Sequence, residues 1–333
     1  MKIRTLAAMA VLALGCSVAQ AQVQKLKFAS FEAPQAIASQ IFTKWIAGVN
    51  KDGAGVVEIE YFAGGALGRD PRAQLELLEN GVADIAWMFP FFAPGRFADS
   101  VISNMPLTVH NVREGSYAVW ALHQRGLLRG FENLVPMGIM TGPSMVLFST
   151  KPIQNLDSLA GRKSAASSPL QQKILGKLGA APVSGFNFST SAEALQRGSL
   201  DVDLTNFSAS KSFKQFDVAK HVMILPIGPS MVSVVMSKAS YDKLSPAAKA
   251  VIDKHRGEPL VKIWSDMISA REEEVRAEWR ADATRTYTEL SAADRAKAES
   301  LLNPVSEEWS KGHPNGELLL KTLREEVAKV RGR

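Results

Sequence analysis

Polar and apolar residues alternate along Lys25-Leu26-Lys27-Phe28-Ala29, a period of two that predicts a short β-strand. The period then lengthens: Ile37, Ile41, Phe42 and Trp45 share one helical face and predict a helix over 34–49. A second strand is expected over 56–62, a turn at Gly64-Gly65-Ala66-Leu67-Gly68, a helix over 71–80 that stops at Gly81, and a third strand over 82–88. Strands alternating with helices of this length imply a parallel α/β sheet, and such sheets bind ligands outside the carboxyl ends of their strands. Here that edge carries Phe31, Phe62, Gly64, Phe89, Phe91 and Phe92.

The rhythm restarts beyond residue 150, with a helical turn over 155–160, a strand over 162–166 and a helix over 170–178, so a second α/β lobe is expected. Between the two regions stands Gly142-Pro143-Ser144-Met145-Val146, and the same five residue types return as Gly228-Pro229-Ser230-Met231-Val232. Each opens an apolar run. They read as two strands that carry the chain between lobes, with Gly and Pro setting the turn into each. After Pro259 neither Gly nor Pro occurs up to Arg280, and Leu260, Ile263, Trp264, Met267, Ile268 and Val275 fall at helical spacing. One long helix able to brace both lobes is expected there, with further helices over 292–302 and 317–330. The first lobe is expected to comprise 22–142 plus 231–270, and the second 143–230 plus 271–333 with the C-terminal helices.

The N-terminus changes the picture. Lys2 and Arg4 precede an apolar run from Leu6 to Leu14 and the small residues of Ala19-Gln20-Ala21, the pattern of a secretory signal peptide over 1–21. The run is too short to span a bilayer, which takes roughly 20 apolar residues. A competing reading makes Cys16, after Leu14-Gly15, a lipidated residue. Cys16 is the chain's single cysteine, so cleavage after Ala21 leaves neither a disulfide framework nor a thiolate metal site. Loss of Lys2 and Arg4 lowers the formal charge from +6 to +4, and the remaining bases are interleaved with acids, unlike a nucleic-acid footprint.

Catalytic patterns are not found. The histidines at positions 110, 123, 221, 255 and 313 lack metal-ligand spacing, and Ser144 and Ser230 follow Gly-Pro instead of occupying a nucleophile turn. The glycines at 64, 65 and 68 lack the Lys-Ser/Thr of a phosphate loop, and Asp201 and Asp203 would point to opposite faces of a strand. No cofactor, metal or nucleic acid is expected, and an exported binding protein fits better than an enzyme.

Several segments in series then resemble a known family. They are Phe62 to Gly68, Leu75 to Ala86 with Gly81-Val82-Ala83-Asp84, Pro94-Gly95-Arg96-Phe97, Lys151-Pro152-Ile153, Leu156 to Lys163, Leu178-Gly179-Ala180-Ala181-Pro182, and Ala194 to Asp201. In order and spacing they are similar to the DctP-type receptors of TRAP transporters. The resemblance implies a periplasmic-binding-protein-like α/β fold, two lobes joined by crossing β-strands and a long helix, closing over one small molecule. It also implies a periplasmic location and delivery to TRAP membrane permease subunits; a sensor input docking on a signalling partner is the alternative.

The same resemblance implies a site at Phe31, Phe89, Ser144, Met145, Ala165, Phe188, Thr205 and Asn206. Members of the family hold a ligand carboxylate with an arginine two residues after the lysine of a Leu-x-Gly-x-Lys segment, and that position is Ala165. A second family arginine position is Met145. An arginine fork suits carboxylate because it donates two parallel charge-assisted hydrogen bonds. Its absence leaves two readings: a ligand more apolar, neutral or cationic than a dicarboxylate, or an organic acid held by another arginine, with Arg96 and Arg69 as candidates.

Overall fold

The structure, a computed structural model, describes residues 23–332. The expected signal peptide and Cys16 lie outside them. In chain order the strands are β1 Gln24–Ala29, β2 Val57–Phe62, β3 Ile85–Met88, β4 Leu134–Thr141, β5 Met145–Ser149, β6 Lys163–Ala165, β7 Ala181–Val183, β8 Val202–Thr205, β9 His221–Ile227, β10 Met231–Ser237 and β11 Thr286–Thr288. They form a five-stranded sheet ordered β2-β1-β3-β10-β4 and a six-stranded sheet ordered β11-β9-β5-β8-β6-β7.

The first three strands are mutually parallel, as their alternation with helices predicts, but neither sheet is purely so. β10 runs antiparallel between β3 and β4, and β5 runs antiparallel between β8 and β9. The reason lies in the two crossings. β4 passes through Gly142-Pro143-Ser144 into β5, and β9 returns through Gly228-Pro229-Ser230 into β10, so each sheet receives one strand of each crossing. The crossings are tied together by Gly142 N–H, which donates to the Ser230 carbonyl at 3.0 Å. Asn104 adds side-chain donations to the carbonyls of Gly228 at 3.3 Å and Pro229 at 2.9 Å.

Element ends move for local reasons. The first helix, Ile37–Asp52, starts later than its periodicity suggests because Ala33 to Ala36 close a turn first. Asp70 accepts from Arg72 N–H at 2.9 Å, and Gln74 donates to the Asp70 carbonyl at 3.0 Å. That turn holds residues 71–73 out of the helix Gln74–Glu79. The helix Ala292–Gly312 runs on past Pro304, with Leu302, Val305 and Ser306 buried, so packing against its neighbours overrides the proline.

The long helix Glu258–Ala281 spans both halves. Trp264 donates its indole N–H to the Thr141 carbonyl at the end of β4, at 2.8 Å, and Trp279 donates to Thr286 in β11 at 2.9 Å. Between these anchors the carboxylate of Glu272 accepts from the backbone N–H groups of Phe207 at 3.3 Å and Ser208 at 2.8 Å. The C-terminal helix Gly316–Arg331 packs on Val112–Gln124 in the first half, where Arg331 pairs with Glu114 at 2.8 Å. The sequence reading groups it with the second half; its buried Leu319, Leu320, Leu323 and Val327 supply the apolar face that the helix Val112–Gln124 covers.

Candidate ligand-binding site

Where β1 and β3 end, the chain turns over a cavity roofed by the second half. Phe89, immediately after β3, is its hub. Its ring meets Phe31 at 5.2 Å, Trp87 at 5.3 Å, Phe91 at 5.5 Å and Phe188 at 5.5 Å between centroids. The Phe188 contact crosses from one half to the other. Phe188 opens the helix Phe188–Gln196 behind the N-cap Asn187, and its carbonyl is held by the Gln215 side chain at 2.9 Å. Phe213 stacks behind it at 5.6 Å, and Trp264 of the long helix packs on Trp87 at 5.0 Å.

The space between the halves holds about 600 Å³. It is a slot walled mainly by aromatic and aliphatic side chains. Its polar side chains are few: Glu32, Asn206 and the hydroxyls of Ser208, Ser212 and Ser230. Asn206 is committed on one side, since its Oδ1 caps the helix Phe207–Ser212 through Ala209 N–H at 2.8 Å and accepts the Ser208 hydroxyl at 3.0 Å. Its amide nitrogen stays available. Asn206→Ala is expected to cost about 1 kcal/mol of stability through loss of this cap, measurable by urea unfolding. An unchanged unfolding midpoint would show that the cap is dispensable.

Glu32 is the one lining residue that ionises. It is 6% exposed, and burial pushes its carboxyl up to about 7. Its hydrogen bonds run through the backbone: its N–H donates to Ser30 Oγ at 3.2 Å, and its carbonyl accepts from Gly64 N–H at 2.7 Å and Ser39 Oγ at 3.4 Å. The Trp87 indole N–H favours the anion by its proximity but forms no hydrogen bond of full geometry.

Of the residues expected at the site, the cavity brings together Phe89, Met145, Phe188 and Asn206. Phe31 stands one ring behind, against Phe89. Ser144 points away, because side chains alternate along an extended segment: Met145 faces the slot, while Ser144 lines a separate cavity with Leu107, His110 and Arg276. Thr205 is fully buried within β8, and Ala165 packs with Ala194, Leu195 and Leu200 in a small apolar cluster. Neither arginine candidate lines the slot. Arg96 braces a loop, donating to the Gly130 carbonyl at 2.8 Å and pairing with Glu79 at 2.7 Å, and Arg69 is exposed. Sequence reasoning missed Glu32, Phe213 and Trp264. Glu32 left a signal, being the only ionisable residue between Lys27 and Lys44 and lying just past β1 on the ligand edge.

Two α/β halves tied by paired crossings and a bracing helix, with a slot between them, define a two-lobed solute-binding protein. The chain belongs to the DctP family, described as bacterial extracellular solute-binding protein, family 7, whose sequence model matches residues 28–312. It is 26% identical over 318 residues to the outer membrane transporter protein TsaT of Comamonas testosteroni, covering 92% of each chain. It is 24% identical over 309 residues to the C4-dicarboxylate-binding periplasmic protein DctP of Rhodobacter capsulatus, covering 90% of each. Its fold matches a TRAP solute-binding protein of Rhodoferax ferrireducens, solved with copurified benzoate, at a TM-score of 0.85 and 24% identity, over 92% of this chain and 98% of that one. Among the described residues no helix is long and apolar enough to cross a membrane.

Proposed function

We propose that this chain is a periplasmic receptor that closes over one small molecule with a ring or branched apolar body and delivers it to the membrane subunits of a TRAP transporter. One observation carries the reading: the slot is walled by aromatic and aliphatic side chains from both halves, and no arginine, lysine or histidine lines it. A dicarboxylate placed there would lose its hydration without gaining a counter-charge, and an unpaired buried carboxylate costs several kcal/mol even after relaxation. A flat apolar body loses nothing comparable. The Rhodoferax protein of the same fold was solved with benzoate, a compound built on a single ring.

A thermal-shift series tests this, because a ligand that binds only the folded state raises its apparent stability with the logarithm of occupancy. Compounds built on a single aromatic ring or a branched alkyl group should raise Tm, and succinate at millimolar concentration should not. Small-angle scattering with a compound that raises Tm should show a smaller radius of gyration, as two halves settle on their ligand. Micromolar succinate binding, with no response to any ring compound, would defeat the proposal.

A further inference from the structure

We infer that the ligand carries a cationic nitrogen, a protonated amine in its simplest form, and that Glu32 is its counter-ion in the slot. This rests on the reading of the slot as the ligand site and adds the charge of what it takes.

The geometry supplies an acid with no charged partner, its only neighbouring side-chain donor being the Trp87 indole N–H. Glu32 is more than nine-tenths buried, its backbone is pinned at both ends, and its hydrogen bonds all run through that backbone. Glu32 lines the slot. Buried charges are ordinarily paired, because an isolated one forgoes its hydration with nothing in return. A carboxyl kept beside an apolar slot without a cation to pair it has the positive side of a pair missing, and the ligand is the group positioned to supply it.

The surroundings favour a cation over an anion. Facing Glu32 are Trp87 from β3, Trp264 from the long helix, and Tyr61 from β2, whose hydroxyl is turned to Ser39 at 2.8 Å. None is basic. The nearest bases sit outside, where an adjoining cleft shares Ile37 and Ser212 with the slot. Of these, Lys211 is paired with Glu278 at 2.5 Å and Arg271 with Glu274 at 2.8 Å, while Lys214 is exposed to solvent. A ligand carboxylate beside Glu32 would therefore set like charges together in a dry space. An ammonium group there meets an opposite charge in a cavity also lined by the aromatic rings of Phe89, Phe91 and Phe188, whose faces attract cations. Asn206 is left to donate to an acceptor elsewhere on the ligand.

Three probes with one carbon skeleton separate the cases: benzylamine, benzyl alcohol and benzoate, titrated calorimetrically against the full mature protein at about pH 8, where Glu32 is ionised. Benzylamine should bind about 30-fold more tightly than benzyl alcohol, the scale of a charge-assisted hydrogen bond, with benzoate the weakest. Glu32→Gln should bring the amine-to-alcohol ratio close to one. If that variant does not fold, the same ratio in the unmodified protein should fall as the pH drops below Glu32's transition. Equal binding of amine and alcohol would overturn the inference alone, leaving the apolar receptor intact. So would benzoate binding tightest and gaining affinity in acid, which would make Glu32 a protonated donor. Failure of all three to bind would overturn the inference, and the receptor reading falls with it only if the thermal-shift series also shows no response to any ring or branched alkyl compound.

Discussion

Gly228→Ala is expected to destabilise the protein by about 3 kcal/mol or more, the range of strongly overpacked sites. A Cβ at that position would stand 2.2 Å from the Ser103 carbonyl oxygen, 2.9 Å from that of Met105 and 3.1 Å from the Asn104 carbonyl carbon. All three are backbone atoms, so no side chain can rotate to make room. The segment they belong to also fixes the crossing through Asn104, so a shift that relieves the clash breaks those hydrogen bonds. Gly142, in the same place within the other Gly-Pro-Ser-Met-Val copy, is the internal control. Its added Cβ would meet only the Asn206 amide nitrogen at 3.5 Å, an ordinary contact. Urea unfolding of the two variants side by side should show one large loss and one change within about 1 kcal/mol. Equal effects would mean that the crossings are structurally equivalent and that the clash is not what Gly228 avoids.

The ligand-free protein should lose stability as the pH rises from about 5 to about 8. Glu32, Asp203 and Glu272 are buried carboxylic acids, and burial pushes each up to about 7 from ordinary values of 4.5 for glutamate and 3.8 for aspartate. The folded chain thus holds these protons more tightly than the unfolded chain does. In strong acid both states are protonated and nothing is lost. As the pH climbs past the unfolded values, the unfolded state gains by ionising freely, and the loss levels off once the folded groups also ionise near 7. A shift of this size corresponds to roughly 3 kcal/mol for one group. For Glu272, two backbone N–H groups and Arg276 at 3.8 Å favour the anion and offset part of the burial. Asp203 contributes most, since its Oδ2 has no partner. Groups held low act elsewhere: Asp282, kept down to about 2 by Thr284 and Arg285, loses its contribution only as the pH falls below about 4. A Tm series across pH checks the slope, and Asp203→Asn should flatten it and raise Tm at the alkaline end. A Tm that is level or rising over this range would refute the account.

The order of strands and helices was legible because burial on one side of each element leaves a period in the sequence. β1 and the helix Ile37–Asp52 show it plainly, and the long helix declares itself by the absence of Gly and Pro after Pro259. The repeated five-residue motif gave the crossings, since a turn between sheets needs the same chemistry each time. What the sequence does not carry is which side of an extended segment faces which cavity. Ser144 and Met145 are neighbours that look into different spaces, and only the pairing of β5 with β9 decides between them. Family correspondence placed Ala165 and Thr205 in the slot, whereas the local packing of this chain turns both into its interior. Glu32 went unread because a lone acid after a strand most often faces water.

The position of β10 bears on how the molecule is made. It is the strand between β3 and β4, and its register joins Ser233 to Met88 on one side and to Ile139 on the other. The first sheet therefore has a missing middle until residues 231–237 arrive, after the whole of β5 to β9 has been synthesised. Pairings so distant in sequence close slowly, because the entropy of the intervening loop is lost before any contact rewards it. A chain emerging N-terminus first is thus kept from completing its first half early. For an extracellular protein, delayed folding of this kind keeps the polypeptide threadable until it has crossed the membrane, and truncation just before β10 removes the interior strand of the first sheet while costing the second only its edge strand β11.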